Sequence, residues 1–326
     1  MVNTFKLSIA SVLIVTALFG NAELEPMEVS ALRLETETKN LPARVQVIDQ
    51  TVIEKSGATD LVGLLRKEAN LQVRSTSGNS ARASVSMGGF GDNAGHRTLV
   101  LLDGHRLNAF DLSPINWHSI PLSMIRSIEV IRGAQSGTYG NHSIGGVIKI
   151  NTKLPNEKPD GSLEVSAGSF DSFNTSGTYS QRLGGIGLTI FGERAESNGY
   201  RANGDHQTDA GGLRLDWGGK YDFRGYLSWS LSNSEFGLPG DLNASALAVD
   251  RRQTKDSNAN DRGLEKSSHG RVGLTYEIND DWSLENRFGY ESRNVAADMP
   301  SQSGYLSNAD YKKFSYSPIL HHHAEE

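Results

Sequence analysis

Along the second half of the chain, apolar and polar residues take turns. Leu163, Val165 and Ala167 alternate with Ser162, Glu164 and Ser166; Tyr221, Phe223, Leu227, Trp229 and Leu231 alternate with Asp222, Arg224, Tyr226, Ser228 and Ser230; Val272, Leu274, Tyr276 and Ile278 alternate with Arg271, Gly273, Thr275 and Glu277. A period of two predicts strands with one apolar and one polar face. Such a strand suits a solvated sheet or a barrel wall with lipid outside and water or protein inside. Short turns (Gly184-Gly185, Gly218-Gly219-Lys220, Asn279-Asp280-Asp281) alternate with long polar segments (Ser197 to Gln207, Asn233 to Gly263, Asn294 to Asn308), the asymmetry expected of a transmembrane barrel. Trp217, Tyr221 and Trp282 fall near strand ends, where an interfacial girdle places aromatics.

The first half has a different rhythm. Val45, Val47 and Ile48 predict a strand, and Thr59-Asp60 opens a short helix with Leu61, Leu64 and Leu65 on one face. Leu71 to Val73 predicts a further strand, and Asp103-Gly104 a turn in which Asp bonds its own backbone. Ile125 to Ile131 is a strand; Gly133, Gly137 and Gly140 punctuate a turn, and the pair Gly145-Gly146 leads into Val147, Ile148 and Ile150. Leu154 to Pro159 reads as a linker.

Composition narrows the function. The 326 residues include 35 glycines, which favours turn-rich β-structure. A net charge of -6 argues against nucleic-acid binding, since no basic face supplies counterion release. The absence of cysteine excludes disulfides, thiolate metal sites and cysteine nucleophiles. At the N-terminus Lys6 precedes an apolar run from Leu7 to Phe19 and the small-residue end Gly20-Asn21-Ala22, the pattern of a secretory signal cleaved after Ala22. No later stretch spans a bilayer as a helix, so insertion is expected through strands.

The segment from Ile125 to Lys153, I-R-S-I-E-V-I-R-G-A-Q-S-G-T-Y-G-N-H-S-I-G-G-V-I-K-I-N-T-K, resembles the closing motif of the plug domain of TonB-dependent outer-membrane receptors, I-E-R-I-E-V-I-R-G-P-x-S-A-x-Y-G-x-x-A-I-G-G-V-I-N-I-x-T-K. Ala134 stands where that motif has proline, Gly137-Thr138 replaces a small-apolar pair, and Lys149 replaces a common Asn. Arg97 to Gly104 is similar to the family's R-x-L-V-L-x-D-G strand and turn, and Ser84 to Phe90 to its x-I-x-I-R-G-F strand, with Gly88 in place of arginine, so the resemblance implies a strand at each. Glu25-Pro26-Met27-Glu28-Val29-Ser30-Ala31 resembles the TonB box, which adds as a β-strand to the periplasmic energy-transducing partner.

The resemblance implies a signal peptide (1–22), a flexible TonB-box segment (23–41), a mixed α/β plug (42–153), a linker (154–160) and the N-terminal part of an antiparallel transmembrane barrel (161–326). Such barrels close with roughly 22 strands, whereas about eight are legible here. The expectation is an N-terminal fragment that does not transport by itself. The family binds a ferric siderophore, haem or a cobalamin-type cofactor at the outer face, and the TonB-ExbB-ExbD complex then displaces the plug. It has no resident cofactor and no catalytic centre. The other reading is a non-transporting fragment or a soluble periplasmic β-rich protein.

Plug-motif residues singled out are Arg97, Asp103, Gly104, Glu129, Arg132, Gly133, Tyr139, Gly140, Gly145 and Gly146. Arg97, Glu129 and Arg132 are expected as ion-paired groups of the plug, with a smaller share of the expectation given to their holding it against the wall. The apolar, Pro/Gly-fixed stretch Phe236, Leu238 and Pro239 is a candidate ligand loop or a loop packed on its own neighbours. His321 to His323 invites a metal reading, but adjacent strand residues point to opposite faces and cannot converge.

Overall fold

A computed structural model describes residues 44–75, 80, 82–109, 114–218 and 223–322. The first 22 residues read as a signal and the segment 25–31 read as a TonB box lie outside the described residues. Two β-systems account for most of the fold. The first is a five-stranded sheet in the order β1-β6-β7-β4-β5. Its strands are β1 (Arg44–Asp49), β4 (Thr98–Leu102), β5 (His105–Arg106), β6 (Ile125–Arg132) and β7 (Gly146–Thr152). Among the described residues only the β4–β7 pairing is parallel. A separate two-stranded ribbon pairs β2 (Gln72–Arg74) with β3 (Ser84–Ser86).

Helix α1 (Gln50–Lys55) is capped by Asp49, whose carboxylate accepts from the Val52 amide at 2.8 Å. Asp60 caps α2 (Leu61–Glu68) in the same way, at 2.6 Å from the Gly63 amide. Each cap satisfies an amide that the first helical turn leaves unbonded. Leu61, Leu64 and Leu65 of α2 join Ile48, Val100, Leu102, Ile128, Ile148 and Ile150 in the main core. On the opposite face Leu99, Leu101, Ile131, Val147 and Tyr139 form a second cluster. Alternate residues of β4 thus go to opposite cores, which is why Thr98 to Leu102 reads as an unbroken apolar run instead of alternating.

The double glycine is forced by close approach. A Cβ on Gly145 would lie 2.7 Å from the Met87 carbonyl oxygen and 2.9 Å from that of Arg97, and one on Gly146, at φ +143, would lie 2.5 Å from the Ile131 carbonyl oxygen.

The second system is an eight-stranded antiparallel meander, each strand beside its sequence neighbour. It comprises β8 (Asp160–Gly168), β9 (Ser172–Leu183), β10 (Ile186–Ser197), β11 (His206–Trp217), β12 (Phe223–Gly237), β13 (Arg262–Glu277), β14 (Trp282–Met299) and β15 (Tyr305–His322). It is an open arc of barrel wall wrapped against the first unit. Ser228, Ser230, Ser232 and Ser234 of β12 are buried on its inner face, while Trp229 and Leu231 between them are 41% and 56% exposed on the outer face. Outer-face aromatics stack across strands, Trp229 with Tyr290 at 6.2 Å and Phe288 with Tyr316 at 4.9 Å between ring centroids. No helix among the described residues is long and apolar enough to cross a membrane.

Several expectations change. The stretch from Ser84 leaves the strand after Ser86, because Gly88 and Gly89 both take positive φ. Helix α1 occupies a stretch for which the sequence pattern predicts no element, and a helical turn, α3 (Ser136–Tyr139), sits inside the glycine-punctuated segment. The third long loop does not exist: β14 runs to Met299 and β15 starts at Tyr305, with cross-strand pairs through the whole polar stretch. Asn294 there donates to Asn308 and Asp310, both at 2.7 Å, so its polar residues are the outward side chains of a strand extended beyond the apolar belt. The second loop is real and carries α4 (Ala244–Val249).

Candidate functional site

The functional geometry lies where the five-stranded unit meets the inner face of the wall. The β4–β5 turn reaches the wall first. Asp103 and Gly104 both take positive φ (47° and 77°), the primed geometry of a tight hairpin, and Leu102 pairs with His105 across it. Because the backbone closes this turn, the Asp103 carboxylate does not bond its own backbone as expected. It accepts from the Thr152 amide and hydroxyl, both at 2.9 Å, and from Arg214 of β11 at 3.4 Å. Arg214 is also gripped by Asp216 at 2.7 Å and lies 4.0 Å above the Tyr226 ring. The Tyr226 hydroxyl contacts the His105 ring nitrogen at 3.0 Å and donates to the Asp103 carbonyl at 3.4 Å. Gly104 has no room for a side chain, since a Cβ would collide with the Arg287 guanidinium. Burial, aided by Arg271, pushes the His105 imidazole down to about 4.

A second contact is ionic. Glu265 of β13, 0% exposed at its side chain, sits between Arg82 of the first unit and Arg293 of β14, each at 3.2 Å. The Arg82 guanidinium is also 5.8 Å from the centre of the Phe236 ring. A third contact is a polar chain. Ser80 donates to the cap carboxylate of Asp60 at 2.6 Å and meets His118 at 2.9 Å; the other nitrogen of His118 faces the Thr208 hydroxyl of β11 at 3.3 Å. His118 packs on His206 of β11 with ring centroids 4.7 Å apart, and burial together with His206 holds it at about 4. Lys313 of β15 adds a bond to the Arg106 carbonyl at 3.1 Å.

The motif residues stay mostly within the first unit. Glu129 pairs with Lys149 at 2.9 Å and accepts from Asn151 at 3.0 Å. Arg132 bonds the Ala69 carbonyl and the Gln46 side chain, and Arg97 lies 5.6 Å over the Phe90 ring while its carbonyl accepts from the Gly145 amide. Gly133 and Gly140 take positive φ on either side of α3, and Tyr139 is buried. Of the motif set, Asp103 and Gly104 touch the wall. Arg82, His105, His118, Arg214 and Glu265 were not singled out from sequence. Their only local signal is a polar residue at an inward position of a period-two strand or in a loop.

The stretch at Phe236, Leu238 and Pro239 is packed on its neighbours. Phe236, next to last in β12, is 2% exposed, and the Pro239 carbonyl accepts from Lys255, Arg201 and Thr254. His321 reaches Glu285 at 3.2 Å while His322 packs on Trp282, so the two diverge. Among the described residues no cluster of three or more His, Asp or Glu could hold a metal ion.

The sequence profile of the TonB-dependent receptor plug domain matches residues 37–147. The vitamin B12 transporter BtuB of Vibrio cholerae is 30% identical over 172 residues, which is 52% of this chain and 28% of that protein. Among solved structures, the ferric yersiniabactin uptake receptor FyuA of Yersinia pestis superposes with a TM-score of 0.74 at 16% identity, over 87% of this chain and 46% of that one. The siderophore receptor PiuA of Acinetobacter baumannii gives 0.67 at 17% identity, over 86% and 42%. The chain spans less than half the length of these relatives. Residues 37–147 thus match a TonB-dependent receptor plug domain, and the plug sheet seated inside an arc of barrel strands has the fold of the solved receptors it resembles.

Proposed function

We propose that the protein acts in the outer membrane of a Gram-negative cell in energy-coupled uptake of a scarce solute, a ferric siderophore, haem or a cobalamin-type cofactor. The observation that carries this reading is the chemistry of the plug–wall contact. Ser228, Ser230, Ser232 and Ser234 line the wall, and ion pairs and hydrogen bonds from Arg82, Asp103, His105 and His118 cross to it. Polar contacts exchange for water with little net loss, so such a boundary can part and reseal, whereas a continuous apolar core could not. Among the described residues, Phe191 is the one inner-wall side chain packed on the apolar core of the plug.

By this reading residues 1–22 direct export, 42–153 are the plug, 154–160 the linker, and the wall begins at 161. Glu25 to Ala31 would pair as an added strand with TonB of the TonB-ExbB-ExbD complex, whose pull displaces the plug. The outer face of the wall meets membrane lipid through Leu163, Trp229, Leu231 and Phe314, all exposed. The relatives named above are named for vitamin B12, ferric yersiniabactin and siderophores, the solute classes proposed here.

The test uses a receptor-deleted strain carrying the receptor. Strand addition depends on main-chain donors and proline removes one, so Val29→Pro should abolish uptake of labelled solute and leave surface binding intact. Thr36→Pro, outside the proposed strand, should be nearly silent. Normal uptake by Val29→Pro would remove the coupling role from this segment.

A further inference from the structure

Long outer loops are ordinarily the mobile part of a fold, because every ordered residue gives up backbone entropy. The loop 238–261 is ordered nonetheless, and what orders it lies in the neighbouring loops. Arg201, in the loop 198–205, donates from Nη1 to the Gly240 carbonyl at 2.7 Å, from Nε to that of Gln253 at 3.0 Å and from Nη2 to that of Pro239 at 3.1 Å. One planar guanidinium with five donors thus holds both limbs of the longer loop at once. The Ala202 amide beside it bonds the Arg252 carbonyl at 2.7 Å. Asp205 closes the base, its carbonyl accepting from the Gly237 amide at 2.9 Å and its carboxylate taking the Arg262 guanidinium at 2.9 and 3.1 Å.

These links converge on Asp261, which is 1% exposed. Its carboxylate accepts from the Ser301 amide at 3.0 Å, from the Ser301 hydroxyl and from the Asn258 side-chain amide at 2.7 Å. Its backbone carbonyl accepts from the Leu238 amide and the Asn203 side chain, both at 2.9 Å. One residue therefore joins the loop 198–205, both ends of the loop 238–261 and the β14–β15 turn. Burial opposes its charge, but the bonds from Ser301 and Asn258 hold the carboxyl below its usual range. The turn 169–171 joins from the other side. The Phe170 carbonyl accepts from the Asn198 amide and the Asp171 carboxylate from the Asn198 side chain, both at 2.8 Å. The Phe170 ring meets Tyr200 edge-on at 5.7 Å, with the Arg252 guanidinium over both rings.

We infer that the four successive outer connections of this arc, 169–171, 198–205, 238–261 and 300–304, form one cooperative unit that is assembled before any solute arrives, with Asp261 as its positioning residue. Loops held through shared partners do not open singly, because releasing one leaves buried polar groups of the next unpaired. The inference holds whatever the solute. Joined to the uptake reading, it makes this part of the mouth a fixed jaw that receives a solute, not a set of loops that fold over it.

The test is residue-resolved hydrogen exchange on the solute-free receptor in detergent, so its outcome is independent of the uptake reading. The amides of Ala202, Leu238 and Ser301 should exchange at least roughly a hundredfold more slowly than in an unstructured peptide. Asp261→Ala should remove most of that protection at all three, including Ala202, whose bond goes to Arg252 and not to Asp261. Asp261→Asn, which turns a donor toward the donors of Ser301 and Asn258, should act in the same direction to a smaller extent. Arg201→Met should in turn speed exchange at Ser301, which it does not touch. In every variant the strand amides of β12 and β13 should stay protected, which separates loop opening from loss of the wall. Wild-type exchange as fast as in the peptide overturns the preassembled unit. Loss confined to Leu238 and Ser301 in Asp261→Ala, with Ala202 unchanged, overturns its cooperativity, and no loss at all removes the role of Asp261.

Discussion

Glu265 is out of contact with solvent and lies between a plug cation, Arg82, and a wall cation, Arg293. Taking away its charge leaves two guanidiniums facing each other in a dry boundary, which costs about 3–5 kcal/mol when a buried pair is broken from one side. Glu265→Gln should therefore lower the urea midpoint for plug release, and adding Arg82→Met should restore part of the loss. Equal midpoints for wild type and Glu265→Gln would show that the triad contributes nothing to plug retention. The buried imidazoles give a pH dependence. His105 and His118 titrate near 4 in the folded protein, against an ordinary value of 6.5. The folded state therefore resists their protonation, so stability is intact above pH 6.5 and is lost as pH falls from there toward 4. The loss for His105 reaches roughly 3 kcal/mol by pH 4. The unfolding midpoint should drop between pH 7 and pH 5, with a shallower slope in His105→Gln. A flat profile over that window would contradict the assignment.

At the scale of elements, the β6–β7 hairpin is held by the approach of three backbone segments around Gly145 and Gly146. Gly145→Ala would press a methyl group against two backbone carbonyl oxygens, those of Met87 and Arg97, which cannot swing aside as a side chain can. Gly146→Ala adds a positive φ to a similar clash. Each should destabilise the plug by at least about 1–3 kcal/mol, measured by chemical unfolding of the plug. Gly137 is the internal control, since it lies in α3 with nothing within 4 Å of a built Cβ. Gly137→Ala should be neutral or slightly stabilising, as alanine is the better helix former. Similar losses at all three glycines would mean that motif position, and not close packing, sets the cost. The outer loops show the same dependence on a few contacts. Asp261 accepts from Ser301 and Asn258, so the loop carrying α4 is tied to the β14–β15 turn.

For the whole molecule, the decisive property is a wall with opposite faces. Ile190, Leu213 and Trp229 stand in register across three strands, all on the outer face. Leu213→Arg places a charge at that level and should cost roughly 2–4 kcal/mol if the level is near the bilayer midplane, seen as reduced recovery of folded protein in the outer-membrane fraction. Wild-type recovery of Leu213→Arg would place this row outside the lipid. The opposite face tolerates charge because the plug supplies partners. Arg214, one residue away on the same strand, is nearly buried and bonded to Asp103 and Asp216.

The strands of the wall were legible because a sheet exposed to two different media imposes a period of two on its sequence, and Ser228, Trp229, Ser230 and Leu231 repeat that rule without exception. The plug sheet was legible for a different reason. Gly145-Gly146 stands where backbone carbonyls crowd a Cβ, and Asp103-Gly104 where both residues take positive φ, so local geometry writes itself into the chain. Extended strand misread as loop, as at Asn294 to Asn308, has a physical cause too: above the apolar belt both faces of the wall are wet, and the alternation that identifies a strand disappears. What no local pattern could supply was the pairing across the boundary. Asp103 and Arg214 are 111 residues apart, and His105 and Tyr226 are 121 apart. Sequence by itself determined which residues are strands, which turns must be glycine and which face of the wall is apolar, because those depend on neighbours within a few positions. Only the tertiary structure decided that Arg82 meets Glu265 and that His118 meets Thr208, because those contacts exist only once the plug is seated against the wall.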